Sequence, residues 1–347
     1  MGSSPQFIDF FRTKAGPGGT MTFAQFMQLA LYHPQTGYYR QPRRRVSRAG
    51  DADFFTASNS LLFGELMIAA CTSLLKQHGA EPSEFTFVEI GAEEPGGGVL
   101  DGTKHPFKKI KPIHVGEPID LGGRCVVFSN ELFDAQPFHR FVFRRGTWRE
   151  FGVTVRNDEL AEVELSEISP EVASLVGRGI PAEPNTAQPE ASPYLLPQEA
   201  AEDYRLDLSL AAESLAENIA AQPWTGLFVT CDYGKSWQEL VHDTPAGTAR
   251  AYWRHTQSND LLARPGEQDL TCHVCWDRLG KALARHGFTS PQLQSQEAFF
   301  VHHAADFLAA VMAEETRKLS PRKQSLMQLL HPAHMGQKFQ VLSAFRA

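Results

Sequence analysis

Three short apolar runs constrain the fold of this 347-residue chain more than any other feature. They lie at residues 85–90, 125–128 and 227–231, and each stops at a glycine or a polar residue. Continuous apolar runs of this length are typical of strands that are buried on both faces, as in a parallel sheet covered by helices. The sequence therefore predicts an α/β protein with a mainly parallel sheet and flanking helices.

Helical segments are predicted around these runs from apolar residues that recur on one face. Residues 22–31 form one such segment, with Thr22 as its N-cap, and residues 61–75 and 208–219 form two more. The tail at residues 305–330 has a helical composition interrupted at Ser320-Pro321.

The region between the second and third runs has a different pattern. Apolar residues nearly alternate over residues 138–163 around an Arg145-Gly146 turn, which predicts an antiparallel hairpin. Residues 177–197 are rich in proline and predict a loop. We therefore expect three parts. Their bounds are residues 1–80 for an N-terminal helical segment, 81–290 for the core with an insertion at 138–205, and 291–347 for a C-terminal helical and strand segment packed on the core.

Composition excludes several classes of protein. The net charge of −7 and the pI near 6.0 argue against broad nucleic-acid binding, and no apolar stretch is long enough for a membrane span. The five cysteines are scattered and odd in number, which indicates reduced thiols. Cys272 and Cys275 lack the second ligand pair of a structural zinc site, so no metal is predicted.

Chemistry-bearing residues follow all three apolar runs. Glu89 and Gly91 end the first run, residues 130–134 follow the second, and Asp232-Tyr233 follow the third. Ligands of open parallel sheets bind beyond the carboxyl ends of the strands. Charged residues there also serve as solvated caps, but three such ends on one sheet favour a site.

Fragments along residues 20–345 resemble the MidA-type S-adenosylmethionine (SAM)-dependent methyltransferases. That family includes the mitochondrial arginine methyltransferase that assists complex I assembly. The most specific fragment is Asn130-Glu131-Leu132-Phe133-Asp134-Ala135-Gln136-Pro137. The other matching fragments, in chain order, are residues 22–27, 32–34, 37–39, 53–56, 63–66, 232–234, 247–252 with His255, and 265–271.

The resemblance implies a Rossmann-like methyltransferase fold, SAM as cofactor and protein arginine as methyl acceptor. It also implies two sets of site residues. The cofactor would be bound by Glu89, Gly91, Gly96, Asp232 and Tyr233, and the catalytic residues would be Asn130, Glu131 and Asp134. The two carboxylates would orient a guanidinium through charge-assisted hydrogen bonds, and the Asn130 amide would face the acceptor or the cofactor. The alternative role of Asp134 is a helix N-cap.

The chain departs from the family pattern after its first strand. The family pattern there resembles Glu-Leu-Gly-Pro-Gly-Arg-Gly, whereas Gly91 is followed here by Ala92-Glu93-Glu94-Pro95-Gly96-Gly97-Gly98. The 41 positions from Glu89 to Asn130 are few, and residues 101–118 show no helical period. Glu117 is the nearest candidate for the acid that binds the ribose in the family. The cofactor half of the fold is therefore expected to be shortened.

This departure leaves two alternatives to a methyltransferase. One is a catalytically inactive relative that no longer binds SAM and acts as an assembly or scaffold protein. The other is an enzyme that uses a different small ligand in the same crevice. The resemblance also implies a bacterial cytoplasmic location, or a mitochondrial one for a eukaryotic chain, and a protein substrate.

Overall fold

The computed structural model describes residues 4–41, 61–92, 98–176, 194–254, 256–314 and 321–347. Within them the helices are α1 (Pro5–Ala15), α2 (Phe23–Tyr32), α3 (Leu61–Gln77), α4 (Leu210–Ala220), α5 (Trp237–His242), α6 (Trp276–Arg285), α7 (Gln296–His303), α8 (Ala305–Glu314) and α9 (Pro321–Leu330). The strands are β1 (Thr20–Thr22), β2 (Thr86–Ala92), β3 (Lys109–His114), β4 (Gly123–Asn130), β5 (His139–Arg144), β6 (Thr147–Arg156), β7 (Glu159–Glu164), β8 (Arg205–Leu208), β9 (Trp224–Asp232), β10 (Gly234–Lys235), β11 (Arg250–Trp253), β12 (Thr256–Ser258), β13 (Asp269–Thr271), β14 (Val274–Cys275), β15 (Thr289–Ser295) and β16 (Gln340–Arg346).

A six-stranded sheet with the order β15-β16-β9-β4-β2-β3 forms the centre. Strands β3, β2, β4 and β9 run parallel to one another, whereas β16 is antiparallel to both β9 and β15. The sheet is therefore mixed, and the expected mainly parallel arrangement applies to these four strands alone. The difference arises because β16, from the end of the chain, returns beside β9 in the opposite direction.

Helices cover both faces of this sheet, so the α/β class is confirmed. Successive side chains of a strand point to opposite faces, and β2 shows the consequence. Phe87 belongs to a core with α3 and α7–α9, while Val88 belongs to a second core with α4 and α6. This two-sided burial explains why the central strands appear in the sequence as continuous apolar runs.

Strands β5–β7 of the insertion form a five-stranded antiparallel sheet, β1-β6-β5-β8 with β7 paired to β6, together with β1 from the N-terminal segment and β8, which extends past the expected bound at residue 205. The predicted hairpin is confirmed as β5–β6. Its turn residues Arg145 and Gly146 have φ values of 50° and 72°, the left-handed conformation that two-residue hairpin turns require. A second turn continues the hairpin into β7.

The predicted helices are confirmed at 22–31, 61–75 and 208–219, as α2, α3 and α4. Thr22 caps α2 in a capping box with Gln25. The tail forms α8 and α9, while residues 315–320 and most of the proline-rich loop (177–193) lie outside the described residues.

Strand β3 has no apolar signal in the sequence. It lies at an edge of the six-stranded sheet and contains Pro112, which is tolerated at edges because the ladder there is open on one side. The described residues between β2 and β3, 98–108, contain no helix, as the short spacing predicts. None of the helices in the described ranges is long and apolar enough to cross a membrane.

Candidate functional site at the carboxyl ends of the parallel strands

The order of the parallel strands changes direction at β2. The chain goes from β2 to β3 on one side and then to β4 on the other, so the carboxyl ends of β2 and β4 form the switch point at which open parallel sheets bind ligands. Register places Ile90 beside Ser129, and Asn130 beside Cys231. The three strand ends singled out in the sequence, those of β2, β4 and β9, therefore lie together at one edge of the sheet. We call Asn130, Glu131, Asp134 and Asp232 the acidic edge.

The segment after β4 turns sharply at Glu131. Its φ of 50° lies in the left-handed region, which is strained for a residue with a side chain. The Glu131 amide donates to the carbonyl of Cys231 at 2.9 Å, and Asn130 Nδ2 donates to Glu131 Oε1 at 3.0 Å. The turn thus keeps the Glu131 carboxylate beside the end of β4.

Asp232 holds the rest of this segment. Its side chain is fully buried, and its Oδ2 accepts hydrogen bonds from the amides of Phe133 at 2.9 Å and Asp134 at 3.4 Å. Its Oδ1 accepts from the amide of Tyr233 at 2.9 Å. The Tyr233 ring lies against Phe339, with ring centroids 4.0 Å apart. One buried carboxylate therefore joins the end of β9 to the segment after β4.

Two oxygen atoms of the acidic edge are buried and have no hydrogen-bond donor within the described ranges. They are Asp134 Oδ1 and Asn130 Oδ1. The Asp134 main chain is fixed on both sides, because its carbonyl accepts from the amide of Cys272 at 2.9 Å. No helix begins after Asp134, since residues 135–138 lead directly to β5, so the N-cap alternative is wrong. Buried acceptors without donors are rare in folded proteins, so these two oxygens are candidate ligand-binding atoms.

The three carboxylates of the acidic edge share one environment. Burial, reinforced by the charge of Asp232, raises the pKa of Glu131 to about 8. Burial also raises the pKa of Asp232 to about 7, although backbone hydrogen bonds oppose the shift. Burial and its acidic neighbours raise the pKa of Asp134 well above its usual range. Ion pairs among the described residues include none of these three carboxylates.

A second wall comes from residues that were not singled out as site residues in the sequence. Tyr39 Oη donates to Asp269 Oδ1 at 2.8 Å, and Tyr32 Oη donates to the carbonyl of Ala135 at 2.9 Å. The rings of Tyr32 and Tyr39 stack with centroids 5.5 Å apart. The charges of Asp269 and Asp134 contribute, after burial, to raising the pKa of both tyrosines. The available signal was the family resemblance, whose fragments at 32–34, 37–39 and 265–271 contain these residues.

The end of β2 is organised around Glu89. Glu89 Oε2 accepts from the amide of Val99 at 2.8 Å, and burial raises the pKa of Glu89 to about 7. Gly91 has a φ of 84°, and a Cβ there would lie 3.2 Å from Leu132 Cδ1, so this glycine lies directly against the segment after β4. Gly96 is outside the described residues. Glu117 follows β3, and its Oε2 accepts from the amide of His114 at 2.8 Å.

This geometry defines a class: an α/β protein with a cluster of carboxylates at the point where the strand order reverses. Residues 104–294, more than half of the chain, match the model of the family described as "Putative S-adenosyl-L-methionine-dependent methyltransferase". The chain belongs to this family, and its cofactor is SAM.

Similar proteins extend the comparison over almost the whole chain. The protein arginine methyltransferase NDUFAF7, mitochondrial, of Danio rerio is 25% identical and matches 94% of this chain and 83% of its own length. Its Xenopus laevis counterpart is 22% identical and matches 94% of this chain and 81% of its own length. A COG1565 superfamily member from Burkholderia thailandensis, crystallised with S-adenosyl-homocysteine, has the same fold, with a TM-score of 0.79 at 22% identity over 98% of this chain and 92% of that one.

The residues at the switch point fit this cofactor. Within the described residues the acidic edge has carboxylates without cationic partners and two acceptor oxygens without donors, so it suits a cationic group, either the sulfonium or ammonium of SAM or a cationic methyl acceptor beside it. Gly91, in its left-handed conformation, keeps the end of β2 free of a side chain. The placement of the expected site residues is thus compatible with a bound cation, and their individual roles stay predictions.

Proposed function

We propose that this protein transfers the methyl group of SAM to arginine side chains of a protein substrate, on a Rossmann-like arrangement of its parallel strands. The observation that carries the proposal is the acidic edge itself. Glu131, Asp134 and Asp232 are clustered carboxylates without a cationic partner among the described residues, which also provide no donor to the buried Asp134 Oδ1 and Asn130 Oδ1. Two curated relatives named as arginine methyltransferases support the choice of acceptor.

A guanidinium suits this set of acceptors better than an ammonium. It is planar and carries five N–H donors in a fixed geometry, whereas an ammonium is a compact point charge. Glu131 and Asp134 follow one strand end, and together they orient the plane of the group by charge-assisted hydrogen bonds. Orientation of the attacking nitrogen toward the methyl carbon is a major contribution that a methyltransferase makes to rate.

The residues also provide a route for the proton. SAM supplies the methyl group when it is bound. The nitrogen that gains the N–CH3 bond must lose a proton, because protonated guanidinium has no free lone pair. Asp134 lies within the acidic edge, and its Oδ1 has no donor in the described structure. We assign proton acceptance to this oxygen, and we assign to Glu131 the binding of the cationic group.

The cofactor-binding roles expected for Glu89, Gly91, Gly96, Asp232 and Tyr233 belong to the same proposal. Glu89 and Gly91 end β2, while Asp232 and Tyr233 end β9 on the other side of β4. Their position at the carboxyl edge supports these roles. The Asp232 carboxylate, however, already accepts three backbone hydrogen bonds, which favours a structural role over direct contact with SAM.

The first test measures SAM binding by calorimetry, followed by transfer of a labelled methyl group to arginine-containing peptides and to matched lysine peptides. Glu131→Gln keeps the shape of the side chain and removes its charge. We expect it to lower transfer to arginine by roughly 10- to 150-fold, the equivalent of one charge-assisted contact of about 1.5–3 kcal/mol, with little change in SAM affinity. Glu159→Gln, on the exposed start of β7, is the matched control.

The outcomes separate the alternatives. Absence of SAM binding would favour the inactive assembly or scaffold protein. SAM binding with transfer to lysine and not to arginine would contradict the proposed acceptor. Loss of SAM binding in Glu131→Gln would mean that this residue faces the cofactor.

A further inference from the structure

Asp232 is placed to control the acceptor site without touching the acceptor. Its fully buried carboxylate receives the amides of Phe133 and Asp134 on one oxygen and that of Tyr233 on the other. We propose that Asp232 is a positioning residue that holds the segment carrying Glu131 and Asp134, rather than a ligand of SAM. This inference rests on the proposed function for the identity of the acceptor.

The segment needs such an anchor because it lacks regular structure. Residues 131–138 connect β4 to β5 without a helix or a strand, and Glu131 adopts a strained left-handed conformation at their start. A strained turn persists when its surroundings fix it. The Glu131 amide is fixed by the Cys231 carbonyl, and the amides of Phe133 and Asp134 are bound by Asp232.

The arrangement requires that both oxygens of Asp232 accept hydrogen bonds. An ionised carboxylate only accepts hydrogen bonds, and both of its oxygens face N–H donors here. In Asp232→Asn one of the two positions would carry an NH2 group facing an amide N–H. The segment would lose one anchor although the side chain keeps its volume.

Asp207 provides a matched control in another part of the molecule. It is 1% exposed, and its Oδ2 accepts from the consecutive amides of Thr248 at 2.9 Å and Ala249 at 2.8 Å. It is therefore a buried carboxylate that anchors a loop, as Asp232 is, but the loop is a different one. Asp207→Asn reports the general cost of removing such an anchor.

The experiment compares Asp232→Asn and Asp207→Asn, using SAM calorimetry and steady-state transfer to an arginine-containing peptide. We expect Asp232→Asn to lower kcat/KM for the peptide by about 10- to 100-fold, with the Kd for SAM within about threefold of the wild-type value. Both variants should lower the melting temperature, but Asp207→Asn should leave the KM for the peptide unchanged. In the double variant Glu131→Gln/Asp232→Asn, the fold-loss in kcat/KM should be much smaller than the product of the two single fold-losses, because both substitutions act through one contact.

Two results would overturn the assignment. A loss of SAM affinity in Asp232→Asn as large as the loss of peptide affinity would make Asp232 a cofactor ligand. Multiplicative effects with Glu131→Gln would show that the two residues act independently. If Asp232→Asn does not fold, Asp232→Ser, whose hydroxyl still accepts one hydrogen bond, is compared in the same way.

A ligand-free measurement distinguishes this inference from the proposed function. Amide hydrogen exchange at Phe133 and Asp134 should accelerate in Asp232→Asn, and not in Asp207→Asn, whether or not arginine is the acceptor. Unchanged exchange at both amides would overturn the positioning role even if arginine methylation were observed. Accelerated exchange in a protein that methylates no arginine peptide would instead contradict the proposed acceptor alone.

Discussion

Two regions of this molecule bury carboxylates in opposite ways. In the antiparallel sheet, Asp207 and Glu162 each lie 2.8 Å from a nitrogen of Arg140, and Glu162 also binds Arg205 at 3.0 Å. At the acidic edge, Glu131, Asp134 and Asp232 have no such partner within the described residues. An unpaired buried charge is costly, so the first region stabilises the fold through its own cations.

The difference supports the proposed role of the acidic edge in binding a cationic group. Arginine side chains contact the acids of the antiparallel sheet, whereas burial at the acidic edge raises the pKa of Glu131 to about 8 and that of Asp232 to about 7. Groups with strongly shifted pKa values in a crevice are candidates for function. A bound cation would restore at the acidic edge the pairing that Arg140 already gives to the antiparallel sheet.

The largest effect should follow from breaking the paired region. Arg140→Met removes the partner of Asp207, whose side chain has no exposure, and one partner of Glu162. We expect a loss of about 3–5 kcal/mol in the free energy of unfolding, measured by urea denaturation at pH 7, because a buried charge is left without compensation. A loss below about 1 kcal/mol would show that water reaches Asp207 and that the contrast between the two regions is not electrostatic.

Neutralising the unpaired region should have a different consequence. Asp134→Asn replaces a buried carboxyl whose pKa is raised by burial and by Asp232 with a neutral group of the same shape. We expect the free energy of unfolding at pH 8 to stay equal or rise by about 1 kcal/mol, while methyl transfer falls. Asp207→Asn, measured in parallel, should destabilise the protein. Equal destabilisation by the two variants would mean that Asp134 is a structural residue.

A smaller gain in stability is expected from relaxing the turn at Glu131. Glu131→Gly removes the cost of a left-handed residue with a side chain and should stabilise the protein by about 1 kcal/mol, while binding of an arginine peptide is lost. Arg145→Gly is the control, because Arg145 has the same φ of 50° in the β5–β6 turn. If Glu131→Gly lowers the melting temperature while Arg145→Gly raises it, the Glu131 side chain supports the fold.

The sequence predicted local elements and strand ends better than it predicted their assembly. The capped helix at Thr22 and the Arg145-Gly146 turn follow from local rules that neighbouring residues satisfy. The mixed sheet was not predictable in this way, because the direction of β16 depends on where the end of the chain returns. The contact of Tyr39 with Asp269 joins residues 230 positions apart, which no local pattern encodes.

The pH dependence of stability gives the smallest expected effect and the most specific test of the difference between the two regions. A carboxyl whose pKa is higher in the folded than in the unfolded state binds more protons when folded, so the free energy of unfolding falls as pH rises between the two pKa values. For Glu131, with a pKa of about 8 in the folded protein, that window extends from about pH 4.5 to about pH 8. We expect the melting temperature to fall by about 1 °C per pH unit between pH 6 and pH 8, and to fall less steeply in Glu131→Gln.

An arginine peptide at saturation should flatten the wild-type slope, because a bound guanidinium favours the ionised carboxylate. Identical slopes in the wild type and Glu131→Gln would show that Glu131 is ionised in the free protein, and the acidic edge would then resemble the paired carboxylates of the antiparallel sheet.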